Sequence, residues 1–330
     1  MTSARSFPAV HVIRCVVLIC VVAAGLIAVP GPAAAKEITC DDRVSGAGAD
    51  FYDGPSASDR YDGLFAKGHA VPHLDTHVPQ GMATWSNWRG DEDLLLITSY
   101  APGSTANALI IALDAGTGKR VGTAEVNASH VGGIAVFERQ GWAFVSDEEA
   151  GKVRRYPLDR LRQAVESSSH LAETEPAQPV YGASFLTSHG PTDTLWAGRF
   201  SSTGRERMRS YTVAGDGTVE PRDGTFEVPR KTQGVVVTDD LFVYSTSFGR
   251  PNRSNIYVVQ RGEGSSDLDT ARLFCFRAPS MAEGMAVHGA DVHLVYESGA
   301  AYYAQDAEQP INIIKELHQA PLAELARLPR

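Results

Sequence analysis

The side chains of this chain with most to offer chemistry recur at two kinds of place. One is just ahead of a repeated glycine: Gln80 before Gly81, His130 before Gly132-Gly133, Tyr181 before Gly182, Lys231 and Gln233 before Gly234, and Glu283 before Gly284. The other is the end of the apolar run that follows each glycine: Ser99 and Tyr100, Asp147 and Glu148, Arg199, Ser247, and Glu297. His130 beside Asp147 or Glu148 would suit a general base. Glu283 could serve as an acid–base group or a metal ligand, because a carboxylate held inside a fold must be paired, hydrogen-bonded or metal-bound. Lys231 and Arg199 are its candidate ion partners. Glu283, His130 and Asp147 are thus the catalytic candidates. Gln80, Tyr100, Glu148, Tyr181, Arg199, Lys231, Gln233, Ser247 and Glu297 are the ligand-binding ones. Each also has a structural reading: the two glutamines can satisfy backbone or channel water, Asp147 can cap a strand end or bind turn amides, and His130 can be a satisfied internal histidine.

For these residues to meet, the segments carrying them must repeat in space as they do in sequence. The glycine cores read PQGMA, VGGIAV, YGASF, TQGVVV and AEGMAV, separated by 52, 49, 52 and 50 residues. After each comes a second apolar run, LLLITSY, WAFVSD, TLWAGRF, LFVYSTSF or VHLVYES, and then a third, ALIIALD, KVRRYPL, RMRSYTV, NIYVVQR or AAYYAQ. Outer strands are predicted at 120–126, 224–228, 271–276 and 311–317. A period near fifty with four strands per unit is the signature of a β-propeller blade. A single blade leaves both faces uncovered, so blades must stack around an axis. The expected fold is all-β, a propeller of five four-stranded blades. A six-bladed ring using the N-terminal stretch, and a sandwich, are the alternatives. In a propeller the start of the inner strand and the end of the second strand meet at one mouth of the channel, which gathers the candidates above.

Blade 2 resembles a repeat of the NHL and gluconolactonase-like propellers, grouped as TolB-like. The resemblance rests on Gly133-Ile134-Ala135-Val136, on Val145-Ser146-Asp147 and on Lys152-Val153-Arg154-Arg155-Tyr156. In blade 1, LIIALDAGTGK resembles the strand and turn of quinoprotein-type repeats. The lactonase-like members hold a metal at the axis with Glu, Asn and Asp ligands, so the resemblance implies calcium as the cofactor to consider. Here Glu283 occupies one equivalent place, and Gln80, Gly132, Tyr181 and Gln233 occupy the others.

Residues 1–35 read as a secretory signal peptide: Arg5 and Arg14, an apolar run over 15–29, and Ala33-Ala34-Ala35 before a cleavage point at Lys36. A retained anchor is the alternative. Cleavage would leave 28 basic against 39 acidic residues, a formal charge of −11, which argues against nucleic acid and anionic membranes as partners. Cys15 and Cys20 would leave with the leader, and Cys40 and Cys275 would remain as a disulfide in an oxidising compartment, or as two free thiols. Residues 36–70 read as an irregular leader offering at most an edge strand, 71–320 as the propeller, and 321–330 as a tail with leucines at period three. Residues 158–166 carry apolar positions at helical spacing.

Gly116-Thr-Gly-Lys119 lacks the frame of a phosphate loop, and no G-x-S-x-G, H-E-x-x-H or paired-cysteine motif occurs. The expected function is a secreted monomer that binds a small molecule, sugar or peptide at the channel mouth. The alternative is a lactonase-like hydrolase or lyase.

Overall fold

The computed structural model describes residues 36–330 except 47, 53–56 and 104; the leader expected over 1–35 lies outside the described residues. Among the described residues no helix is long and apolar enough to cross a membrane.

The unit from Glu37 to Arg330 is a five-bladed β-propeller. Blade 1 runs antiparallel from the inner strand Val78–Arg89 through Glu92–Tyr100 and Ala108–Asp114 to Arg120–Val126. Blade 2 has Ile134–Phe137, Trp142–Ser146, Lys152–Pro157 and a two-residue outer strand, Gln178–Pro179. Blade 3 has Phe185–His189, Thr194–Gly198 and Glu206–Val213, the last flanked by two short pieces, Val219–Pro221 and Phe226–Val228. Blade 4 is the most regular, with Thr232–Val237, Leu241–Thr246, Arg253–Gln260 and Leu273–Ser280. The inner strands pack in sequence around the axis, and that of blade 5 packs on both blade 4 and blade 1. Five blades therefore close the ring, and the six-bladed alternative falls.

Blade 5 differs from its sequence reading in two ways. Its inner pair, Ala282–His288 and Asp291–Tyr296, is as expected, but Ala301–Ala304 is a helical turn rather than a strand. The third strand is Glu316–Pro321, and the fourth is Ala66–Ala70, an edge strand supplied by the segment expected to be an irregular leader offering at most such a strand. Ala66 pairs with Gln319 and Lys67 with His318, so early and late chain segments complete one sheet. This pairing covers an edge that would otherwise present unpaired N–H and C=O groups.

The continuous apolar runs follow from burial on both faces. In Leu94-Leu95-Leu96-Ile97, Leu94 and Leu96 enter the core shared with blade 2, whereas Leu95 and Ile97 enter the core shared with blade 5. Side chains alternate across a strand, so a sheet covered on both sides needs apolar residues at every position. The other three junctions repeat the arrangement: Phe144 and Leu195 between blades 2 and 3, Trp196 and Tyr257 between 3 and 4, and Ile256 and Leu294 between 4 and 5. At roughly 2 kcal/mol for a fully buried large apolar side chain, these junctions dominate the stability of the ring.

Near the axis the repeat glycines permit contact between inner strands. A Cβ on Gly81 would stand 2.8 Å from the Gly133 Cα, and one on Gly284 would stand 2.5 Å from the Gln80 carbonyl oxygen. Helix Leu158–Ser167 sits where its spacing predicts a helix, with Leu161 and Val165 buried in the junction of blades 1 and 2. The disulfide joins Cys40 to Cys275 on the outer strand of blade 4. Leu322–Leu325 is a short helix with Leu325 buried.

Candidate functional site

The site begins with a turn that recurs where inner strands start. Val131, Lys231 and Met281 all have left-handed backbone, at φ 45°, 67° and 62°. In blades 4 and 5 the carbonyl of that residue accepts the N–H that ends the second strand: Ser247 N to Lys231 O at 2.9 Å, and Glu297 N to Met281 O at 3.1 Å. Non-glycine residues seldom adopt this conformation and do so where surrounding structure enforces it. Each turn fixes the end of a second strand beside the start of the first, at one mouth of the channel.

The hydroxyls that end second strands stitch neighbouring blades together. Thr98 Oγ1 donates to the Val131 carbonyl at 2.7 Å and accepts from Gly81 N at 2.9 Å, while Ser245 Oγ donates to the Glu283 carbonyl. These hydroxyls belong to the frame.

Within that frame lies a cavity of about 660 Å³. Its wall includes Gln80, His130, Asp147, Glu148, Tyr181, Arg199, Gln233, Ser247 and Glu297, so nine of the twelve candidate side chains converge on it. The other three take neighbouring positions. Tyr100 lies behind His130, their ring centres 4.5 Å apart, and its hydroxyl is 3.2 Å from that of Tyr303. Lys231 stands over the Phe248 ring at 5.5 Å. Glu283 lies beneath the wall, 2% exposed, with Ser247 Oγ donating to its Oε1 at 3.2 Å.

The floor holds two carboxyl groups. Glu297 is buried and accepts a 2.5 Å hydrogen bond from the Gln80 amide, whose nitrogen also donates to the Pro79 carbonyl. Burial pushes the Glu297 pKa up to about 7 against the lowering effect of that bond. Glu283 is raised well above the ordinary carboxylate range, by burial first and by the nearby charge of Glu297 second. Among the described residues Glu283 has no ion pair, with Lys231, Arg199 or any other cation. The sequence reading is corrected here: what faces Glu283 is a second acid. Like charges in a low-dielectric floor cannot both ionise near neutral pH, so the pair holds a proton. Burial first, and the same two acids after it, raise the phenols above: Tyr303 reaches about 12, and Tyr100 goes higher.

His130 opens onto the cavity but is crowded by protein elsewhere, which holds its pKa below the ordinary histidine value; Glu148 pulls weakly the other way. Asp147 accepts from Glu149 N at 3.0 Å and lies 3.4 Å from Arg154 Nε, so its carboxylate is engaged in its own turn. Among the described residues no group of three or more His, Cys, Asp or Glu could hold a metal ion, so the metal role expected of Glu283 lacks a ligand set there.

Four aromatic residues complete the wall: Tyr181, Phe200, Phe248 and Tyr303. Cations stand over three of these rings: Arg199 over Tyr181 at 5.2 Å, Lys231 over Phe248, and Arg250 over Tyr303 at 4.9 Å. Sequence reasoning misses Tyr303 and Arg250. The third apolar run of blade 5 predicts a strand through Tyr303, although the adjacent pair Tyr302-Tyr303 between alanines lacks strand alternation. Arg250 follows the strand end in a turn and pairs with Asp306 at 2.6 Å, a partner with no sequence signal.

The opposite mouth has its own titratable residues. His189 is buried there, 3.1 Å from Asp239, with Nδ1 2.7 Å from Thr192 Oγ1.

The fold and mouth define a β-propeller of five four-stranded blades with a concave polar and aromatic opening. No protein-family model matches the sequence, and no curated protein matches it. Solved structures similar to it include the Cps50 (Swd1) β-propeller domain of Myceliophteria thermophila, at 10% identity and TM-score 0.36, covering 71% of this chain and 66% of that one. The structure of U3-55K matches at 11% identity and TM-score 0.40, covering 79% and 99%. The WD40 repeats of RRP9 match at 9% identity and TM-score 0.39, covering 82% and 99%.

Proposed function

We propose that this propeller is a binding protein for a small polyhydroxylated or amine-bearing molecule, a sugar being the simplest example. One observation carries the reading: four aromatic rings and several hydrogen-bonding side chains, contributed by all five blades, surround one cavity of about 660 Å³. Aromatic faces take the apolar face of a ring, and Glu297, Glu148 and Gln233 accept from hydroxyl or ammonium donors. A few convergent polar groups in an otherwise apolar hollow is the usual form of a ligand site. The test is a thermal-shift and calorimetric panel of neutral sugars, amino sugars, short peptides and lactones, since a ligand of the folded state raises its melting temperature. At least one class should bind the wild type and lose tenfold or more in affinity with Tyr303→Ala. A panel without any shift would overturn the reading.

A second reading rests on the acid pair. A carboxyl with a pKa near 7 beside a second buried carboxyl can supply an acid and a base together, as a hydrolase or lyase requires. This fits the resemblance of blade 2 to NHL and gluconolactonase-like, TolB-like repeats. Its mark would be lactone turnover with a pH limb near 7, abolished by both Glu283→Gln and Glu297→Gln.

We also propose that the protein is secreted and works as a monomer. The disulfide supports an oxidising compartment, as does the Ala-x-Ala site before Lys36.

A further inference from the structure

A second cavity, of about 330 Å³, opens on the mouth-side end of blade 4, beyond Ser247 and Phe248, which it shares with the larger one. Four basic side chains line it: Arg230, Lys231, Arg253 and Arg277. Among the described residues none of the four has a carboxylate partner. Arg277 donates to the Asn255 side-chain oxygen at 3.1 Å, and Lys231 stands over Phe248. Arg230 is exposed and Lys231, Arg253 and Arg277 are half-buried, in a chain with 30 basic and 39 acidic residues where the buried Arg154 sits against two acids. The carboxylates on the lining are Glu37 and Asp42, both exposed, so the cavity keeps an excess of cations.

The outer wall is built in advance. The disulfide fixes Cys40 to the outer strand of blade 4. The next residue, Asp41, is bonded to that strand in both directions, by Asp41 N to Cys275 O at 2.8 Å and by Arg277 N to Asp41 O at 2.9 Å. The segment carrying Glu37 and Asp42 is thereby held against blade 4, and its tie there does not wait on a ligand. Guanidinium forks match the paired oxygens of tetrahedral oxyanions and bind them with charge-assisted hydrogen bonds.

We propose that this cavity binds a tetrahedral oxyanion group, a phosphate or sulfate monoester carried on a small organic molecule. Such a group would sit at blade 4, within a side chain's reach of the larger cavity across Phe248.

The experiment is isothermal calorimetry at low ionic strength with inorganic phosphate, inorganic sulfate, glucose 6-phosphate, glucose 6-sulfate and, as the uncharged control, glucose. Arg277 is left intact because it braces Asn255; the variant is the double change Arg230→Gln and Arg253→Gln, with Lys119→Gln on a distant exposed turn as the charge control. One or both esters should bind the wild type, weaken on added salt, and lose at least tenfold in affinity in the double variant but not in Lys119→Gln. Preference between the two esters identifies the source of the oxyanion. Absence of binding by all four anions overturns the proposal, and so does equal ester affinity in wild type and double variant. Glucose binding that survives the double change and fails with Tyr303→Ala belongs to the larger cavity, which keeps the two sites distinguishable.

Discussion

Glu283 and Glu297 illustrate how a residue acquires its chemistry from depth rather than identity. Either alone at the surface would ionise near pH 4.5; together on the channel floor they retain a proton close to neutrality. The linkage has a definite sign. A carboxyl whose folded pKa lies above its unfolded value binds more protons in the native state, so its contribution is full below about pH 4.5 and is lost as pH rises through 7. Glu297→Gln should therefore flatten the fall in melting temperature between pH 5 and 8, and raise it at pH 8 by roughly 5 °C, on the order of 2 kcal/mol. A melting curve at pH 8 no higher than wild type would show that the floor is not under charge strain. The sequence placed Glu283 at the axis. It also gathered Glu297 at the same mouth, but not as the neighbour of Glu283, because the register of the inner pair of blade 5 shifts between Ala282 and Met285.

Among the elements, the middle strands of blades 1 and 4 were the most legible, because they are buried on both faces and read as apolar runs; blade 2 was legible in its first three strands, and its outer strand Gln178–Pro179 was not. Blade 5 was misread at 300–305, where helix and strand propensities are close and the segment lies outside any sheet. The outer strand of blade 3 was legible only in part, since it breaks into Val219–Pro221 and Phe226–Val228 around Gly224. The two pieces are short and partly exposed, so their patterning is weak. The disulfide was legible because only two cysteines remain beyond residue 35. It ties the N-terminal segment to blade 4 across 235 residues. A loop of that size gives a chain-entropy effect of about 5 kcal/mol at most, and measured losses run from about 2 to 5 kcal/mol. Cys40→Ser should lower the melting temperature by a comparable amount, about 5–15 °C at this size, with the β signal in circular dichroism retained. A change under 1 °C would mean that the other contacts of residues 37–46 hold the segment unaided.

At the scale of the molecule, the glycine period was enough for blade number and for the mouth at which nine candidate residues gather. It was not enough for the closure, because the pairing of Ala66–Ala70 with Glu316–Pro321 is between remote and weakly patterned segments. A chain starting at residue 71 would lack that outer strand, the disulfide and the buried Tyr61, whose hydroxyl is 2.5 Å from that of Tyr296 and 2.6 Å from His318 Nδ1. It should elute as aggregate and show no cooperative melt, while a chain starting at residue 37 behaves as wild type in both assays.

The joint in blade 5 also dictates an order of events during biosynthesis. Ala66–Ala70 leaves the ribosome before blades 1 to 4, whereas its partner Glu316–Pro321 emerges after them. Blades 1 to 4 can form as each is translated, but the ring stays open until Glu316–Pro321 has emerged. Until then Ala66–Ala70 must be kept from pairing with strangers, so this protein's demand for a holding chaperone should last until that later segment is made.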